Sequence, residues 1–111
     1  MKKIVAVITA ITGDRIIVSD ESLNHAIREH FQVVPKDILL EILERILKDP
    51  TEVYCEEQSD SRSFNFFYRL ENRGFIVVVV KIMPEGAFMA TMYPTGKTPR
   101  NKHKILKKVK L

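Results

Sequence analysis

The chain is poor in the features that would announce a cofactor, a membrane or a disulfide framework. It has one cysteine, Cys55, which cannot form an internal disulfide, so a reducing compartment such as the cytoplasm is expected. Cys55 sits at the end of a strand-like run and precedes Glu56 and Glu57. Acidic neighbours raise a thiol pKa and make a poor nucleophile. The longest nearly uncharged apolar run, Phe75 to Val80, is far too short to cross a bilayer, and no membrane partner is expected. The start Met1-Lys2-Lys3 resembles a signal peptide, but the apolar residues from Ile4 soon meet Thr9, Thr12 and Gly13. A first strand is the better reading. There is no Gly-rich phosphate loop, no paired CxxC, no HExxH and no serine nucleophile elbow. With three histidines, His25, His30 and His103, and scattered carboxylates, neither a metal site nor a cofactor is expected.

Acidic residues are missing from one end. Residues 86–111 hold 7 Lys/Arg and no Asp/Glu, whereas residues 1–85 hold 11 Lys/Arg against 14 Asp/Glu. Charge segregated this way repels itself unless a polyanion or an acidic surface lies nearby. A nucleic acid or another polyanion is therefore the expected partner, with Lys97, Arg100, Lys102, Lys104, Lys107 and Lys108 as the nucleic-acid-binding candidates. A solvated basic tail is the plain alternative. At 111 residues there is material for one core, and the reading is one α+β domain over 1–96 with a basic extension over 97–111.

The element pattern starts with a hairpin. Ile4 to Ile8 and Arg15 to Val18 are β-branched runs joined by the turn chemistry of Thr12-Gly13-Asp14. Ser19 or Asp20 can cap a helix running to about Phe31, with Leu23, Ala26, Ile27 and His30 on one face. Pro35 suits the first turn of a second helix. Its stripe of Ile38, Leu39, Ile42, Leu43, Ile46 and Leu47 ends at Asp49-Pro50. Four strand-like runs follow: Thr51 to Glu56, Arg62 to Leu70, Phe75 to Ile82 and Ala87 to Tyr93. Glu71-Asn72-Arg73-Gly74 reads as a hairpin connection. The expected fold is α+β: an N-terminal hairpin, two helices, then a four-stranded antiparallel meander with the helices on one face. His103 to Leu111 fits a short helix or an edge strand.

The residues that could carry chemistry are few. His30 lies in register with the apolar face of its helix and should point toward the sheet. His25, five residues earlier and about 140° around the helix, should sit at the rim. Period-two alternation groups Met89, Thr91 and Tyr93 on one strand face and Phe88, Ala90 and Met92 on the other. It also groups Arg69 with Asn65 and Phe67, and Tyr68 with Phe64 and Phe66. Lys81 interrupts an apolar block. If pairing brings Lys81, Arg69, Thr91 and Tyr93 together beside His30, a basic, hydroxyl-lined cleft results. Such a cleft suits metal-independent RNA cleavage, which needs one group to take the ribose 2′-OH proton, another to protonate the 5′-oxygen, and cations around the phosphate. Each of these residues also has a plain structural use, as core histidine, turn packing or edge charge. Arg62, beside the polar stretch Glu57 to Ser63, is left undecided.

Three segments carry a resemblance: His25-Ala-Ile-Arg-Glu-His30 with the helix ending Asp49-Pro50 before Val53-Tyr54; Phe66-Phe67-Tyr68-Arg69 with Ile76 to Lys81; and Ala90-Thr91-Met92-Tyr93-Pro94. Over residues 15 to 96 the chain resembles the barnase/EndoU/colicin/RelE-like nuclease superfamily of phage and toxin proteins. It departs in having Phe31-Gln32 after His30, where Pro-Glu is usual, and Met92 where Ala is usual. The resemblance implies a ribonuclease with His30 and His25 as acid/base candidates, Arg69 or Lys81 at the phosphate, and Thr91 and Tyr93 lining the site. It also implies a toxin or phage effector that an acidic antitoxin or immunity protein could restrain. A non-catalytic RNA- or ribosome-binding module and a protein-partner domain remain open.

Overall fold

The computed structural model describes residues 3–57, 61–71, 74–96 and 107–111. Among these residues seven strands and two helices run in the order β1 (Ile4–Thr9), β2 (Arg15–Ser19), α1 (Asp20–His30), α2 (Lys36–Lys48), β3 (Glu52–Glu57), β4 (Arg62–Arg69), β5 (Phe75–Met83), β6 (Gly86–Thr95) and β7 (Lys107–Lys108). All seven strands form one sheet in the order β1-β2-β6-β5-β4-β3-β7.

This corrects the expected fold. The hairpin and the four later strands are not separate: β2 lies parallel to β6, with Ile16 opposite Ala87 and Ile17 opposite Phe88. The sheet is therefore mixed, and it gains β7 at its far edge, antiparallel to β3. The joining pair is short because β2 stops at Ser19, which caps α1. Ser19 is extended (φ −90, ψ 152) and its Oγ accepts a hydrogen bond from the Ser22 N–H. Beyond Phe88 the outer side of β6 is thus no longer paired with β2 but lies against α1. Pro94 sits in this stretch of β6, opposite Ile76.

The core occupies the face that the helices cover. The α2 stripe contributes Leu39, Leu43, Ile46 and Leu47, all fully buried, and α1 contributes Leu23 and Ala26. From the sheet come Ile16, Val18, Val53, Phe66, Val78, Val80, Met89 and Met92. Ile38 of the expected stripe is 42 % exposed. Among the described residues the opposite face carries no helix, and it holds a smaller apolar cluster of Tyr54, Phe67 and Val77, packed by Phe75, Val79 and Tyr93.

The alternation expected in β6 is broken. The β5–β6 ladder pairs Val80 with Met89 but Val79 with Thr91, so Ala90 is an extra residue in a β-bulge. Met89 therefore shares the core face with Met92, while Thr91 and Tyr93 share the helix-free face with Phe88. Tight turns also rest on glycine: Gly74, at φ +88, packs so closely on the end of β6 that a Cβ there would lie 2.5 Å from the Thr95 carbonyl oxygen.

Candidate functional site

The seam between α1 and β6 brings together some of the candidate side chains. At its C-terminal end is His30, the last residue of α1. The next residue, Phe31, closes the helix by donating its N–H to the carbonyls of Ala26 and Ile27. The wheel position of His30 pointed it at the sheet, but in the structure it is exposed. The apolar face of α1 is still in register there, yet the helix runs along β6 where that strand is the sheet's margin, so its last side chain meets solvent and a ring. That ring is Tyr93, with centroids 6.1 Å apart and planes tilted by 47°, a normal aromatic contact distance. Tyr93 is half-buried and leans on Val77 and its neighbours on the helix-free face. Thr91, also half-buried, lies one pleat further along that face, opposite Val79.

The ladder registers decide which cations can join them. Arg69 lies opposite Phe75, and Phe75 lies opposite Thr95, so these three form one row across β4, β5 and β6. Tyr93, Val77 and Phe67 form the next row. Two strands and one row separate Arg69 from Tyr93, about 12 Å between Cα atoms at ordinary sheet spacings, within reach of two long side chains that approach one another. Lys81 lies opposite Ser63 and Phe88, at the other end. Six residues of β4 separate Ser63 from Arg69, or about 20 Å. The structure therefore does not bring Arg69 and Lys81 together; one phosphate cannot touch both.

His25 stands apart from His30. It is exposed, and its Nδ1 is 3.3 Å from Arg28 Nη2. With Lys3, Ser22, Arg28 and Ala90 it borders an open cleft of about 600 Å³. Lys81 lines a neighbouring cleft that shares Ser22 and Ala90 with the first. Arg28, Lys3 and Ser22 were not singled out from the sequence. The signal was the three-residue spacing of Ser22, His25 and Arg28, which puts them along one side of a helix. At the start of α1 Asp20 accepts a hydrogen bond from Lys36 at the start of α2. The Lys36 ammonium holds the Asp20 carboxyl below its usual range.

The basic residues of the C-terminal end are mostly beyond description: Lys97, Arg100, Lys102 and Lys104 lie outside the described residues, as does His103. Lys107 is placed only as a strand position opposite Cys55. Lys108 is exposed, with Nζ 3.6 Å from Glu52 Oε1, while Tyr54 donates its hydroxyl to the other oxygen of Glu52 at 2.7 Å. Val109 donates its N–H to Val53. The last residues thus return to the sheet as an edge strand. Arg62 is exposed at the start of β4. Cys55 is half-buried.

A family model described as phage-Barnase-EndoU-ColicinE5/D-RelE like nuclease 2 matches residues 2–110. No curated protein and no solved structure is significantly similar to the chain. No helix among the described residues is long and apolar enough to cross a membrane.

Proposed function

The chain belongs to the phage Barnase-EndoU-ColicinE5/D-RelE-like nuclease 2 family, and from that premise we propose that it cleaves RNA by transphosphoesterification without a metal ion, at the C-terminal end of the α1–β6 seam. The observation that carries this reading is the exposed His30 imidazole against the Tyr93 ring, at the margin of the helix-free face that also presents Thr91 and Arg69.

In the proposed step the ribose 2′-oxygen forms a bond to phosphorus and the bond from phosphorus to the 5′-oxygen breaks. The 2′-OH proton passes to a base and the departing 5′-oxygen takes a proton from an acid, leaving a 2′,3′-cyclic phosphate and a 5′-hydroxyl. His30 is the proton-transfer group, because an imidazole exchanges protons near neutral pH. Tyr93 and Thr91 hold non-bridging oxygens by hydrogen bonds. Arg69 opposes the charge that builds on the phosphorane. Its row adjoins that of Tyr93, which makes it the phosphate contact in preference to Lys81. His25 serves a neighbouring nucleotide together with Arg28 and Lys3, in a cleft that Ser22, Asn24 and the acids Asp20 and Glu21 also line. The basic C-terminal residues add sequence-independent attraction to the RNA backbone. A biological role as a toxin or phage effector restrained by an acidic protein fits the same charge pattern.

The test is cleavage of single-stranded RNA in excess EDTA. The expected products carry 2′,3′-cyclic phosphate ends, and His30→Ala is expected to slow cleavage about 10²–10⁴-fold, the usual range for losing a proton-transfer group. Cleavage that EDTA abolishes, or that His30→Ala leaves intact, overturns the reading.

A further inference from the structure

At the other end of the seam a second cleft, of about 500 Å³, opens beside β5 and β6. Its size is that of a small-ligand site. Ile17, Met83 and Phe88 supply apolar wall, and Lys81, Glu85 and Ser22 supply polar groups. Phe88 is half-exposed and faces the helix-free side, opposite Lys81 on β5 and beside Ile17 on β2. Its ring lies over Gly86: a Cβ on that glycine would meet the Phe88 ring carbons at 3.9 Å and Ile17 Cδ1 at 3.8 Å. One flat aromatic ring, aliphatic sides, one ammonium and one carboxylate are therefore held in a single concavity.

We infer that this cleft is a subsite for one unpaired nucleobase of the RNA, stacked on Phe88, in a nucleotide that does not carry the scissile bond. The inference rests on the proposed ribonuclease reading for its ligand. An aromatic ring in a concavity offers a π-face to any base. A base pushed into an apolar slot still needs partners for its Watson–Crick edge, and the Glu85 carboxylate accepts from base N–H groups. Glu85 repels phosphate, so the backbone passes on the Lys81 side, where the ammonium pairs with it. Lys81 is one strand and four residues from Tyr93, about 14 Å away at sheet spacings. That distance separates the subsite from the reacting phosphate. It also gives Lys81 work that its separation from Arg69 denies it at the reaction centre.

The test is equilibrium binding of fluorescein-labelled 2′-O-methyl hexanucleotides, whose blocked 2′-oxygens prevent cleavage, to the full chain by anisotropy. Phe88→Ala is expected to weaken binding about tenfold, the scale of one lost base–aromatic stack. Phe88→Tyr restores it, and far-UV circular dichroism and thermal melting confirm that both variants fold. An abasic nucleotide is scanned through the oligomer. At one position it should weaken wild-type binding by the same factor and weaken Phe88→Ala no further. Glu85→Gln is expected to change the ranking of bases at that position. Wild-type binding that is absent, or unchanged by Phe88→Ala and by every abasic position, overturns the subsite. Because the probe cannot be cut, this outcome is read independently of the EDTA and His30→Ala cleavage assay, so the two proposals fail separately.

Discussion

Replacing Gly74 by alanine tests whether the end of the sheet that carries Arg69 is built as described. Gly74 follows the β4–β5 connection, accepts the Leu70 N–H on its carbonyl at 2.8 Å and sits at φ +88. An L-residue pays about 1–2 kcal/mol for that backbone region. The new methyl would also fall 2.5 Å from the Thr95 carbonyl oxygen and 3.0 Å from the Gly96 Cα. Both are backbone atoms, so no side chain can rotate away and the strand ends must part. Losing one hydrogen bond of the turn or the ladder adds about 1 kcal/mol. The expected loss is about 2–3 kcal/mol, which moves a urea midpoint down by roughly 1–2 M at an ordinary slope. Two other glycines are internal controls. Gly13 has φ +92 but open space around its Cβ position, so Gly13→Ala should cost only the backbone part, about 1–2 kcal/mol. Gly96 has no positive φ and nothing within 4 Å of where its Cβ would lie, so alanine there should be neutral or slightly stabilising. Equal midpoints for the Gly74 and Gly96 variants would refute the close approach of the two strand ends.

Leu39→Ala removes a fully buried side chain from α2 and should cost about 2–5 kcal/mol, read as a lowered melting temperature. The Asp20–Lys36 contact should make stability pH-dependent. Because the folded carboxyl keeps its charge to lower pH than the unfolded one, its contribution is complete above the unfolded value and fades as pH falls through the folded one. Asp20→Asn should therefore be less stable than wild type at pH 6, with the gap closing below about pH 4 in denaturant titrations. A gap that persists undiminished into acid would count against the pairing.

What the sequence made legible was local. The apolar repeat of α2, the cap at Ser19 and the turn residues near Gly13 and Gly74 all depend on neighbours within a few positions, and each element formed where that chemistry placed it. The sheet as a whole was not legible. A two-residue parallel contact between β2 and β6 leaves no periodic trace, so the hairpin looked independent of the later strands. The bulge at Ala90 was equally silent, since simple alternation put Met89 with Thr91 and Tyr93 until one extra residue moved it into the core. His30 was misdirected for a related reason: the wheel reports which face a residue shares, not where the sheet ends beneath it. The separation of Arg69 and Lys81 could have been foreseen. Once the turn is set between Leu70 and Gly74, counting outward puts Lys81 opposite Ser63, well away from Arg69. Phe88 and Glu85 had no motif to mark them, and only the closure of β2 against β6 brings them to one cleft with Ser22.

Pro94 shows what the brevity of that closure permits. By its rank in the sheet β6 is an interior strand, and an interior strand seldom tolerates proline because the imino nitrogen has no hydrogen to give. Here the strand changes status along its length, interior at Ala87 and Phe88 and marginal by Pro94. A foreign strand approaching that margin would find a helix across part of it and a gap in the donor row where the helix ends. Pro94, one residue beyond the Tyr93 ring that His30 meets, thus discourages accretion of another chain beside it, so this margin can stay open without inviting self-association.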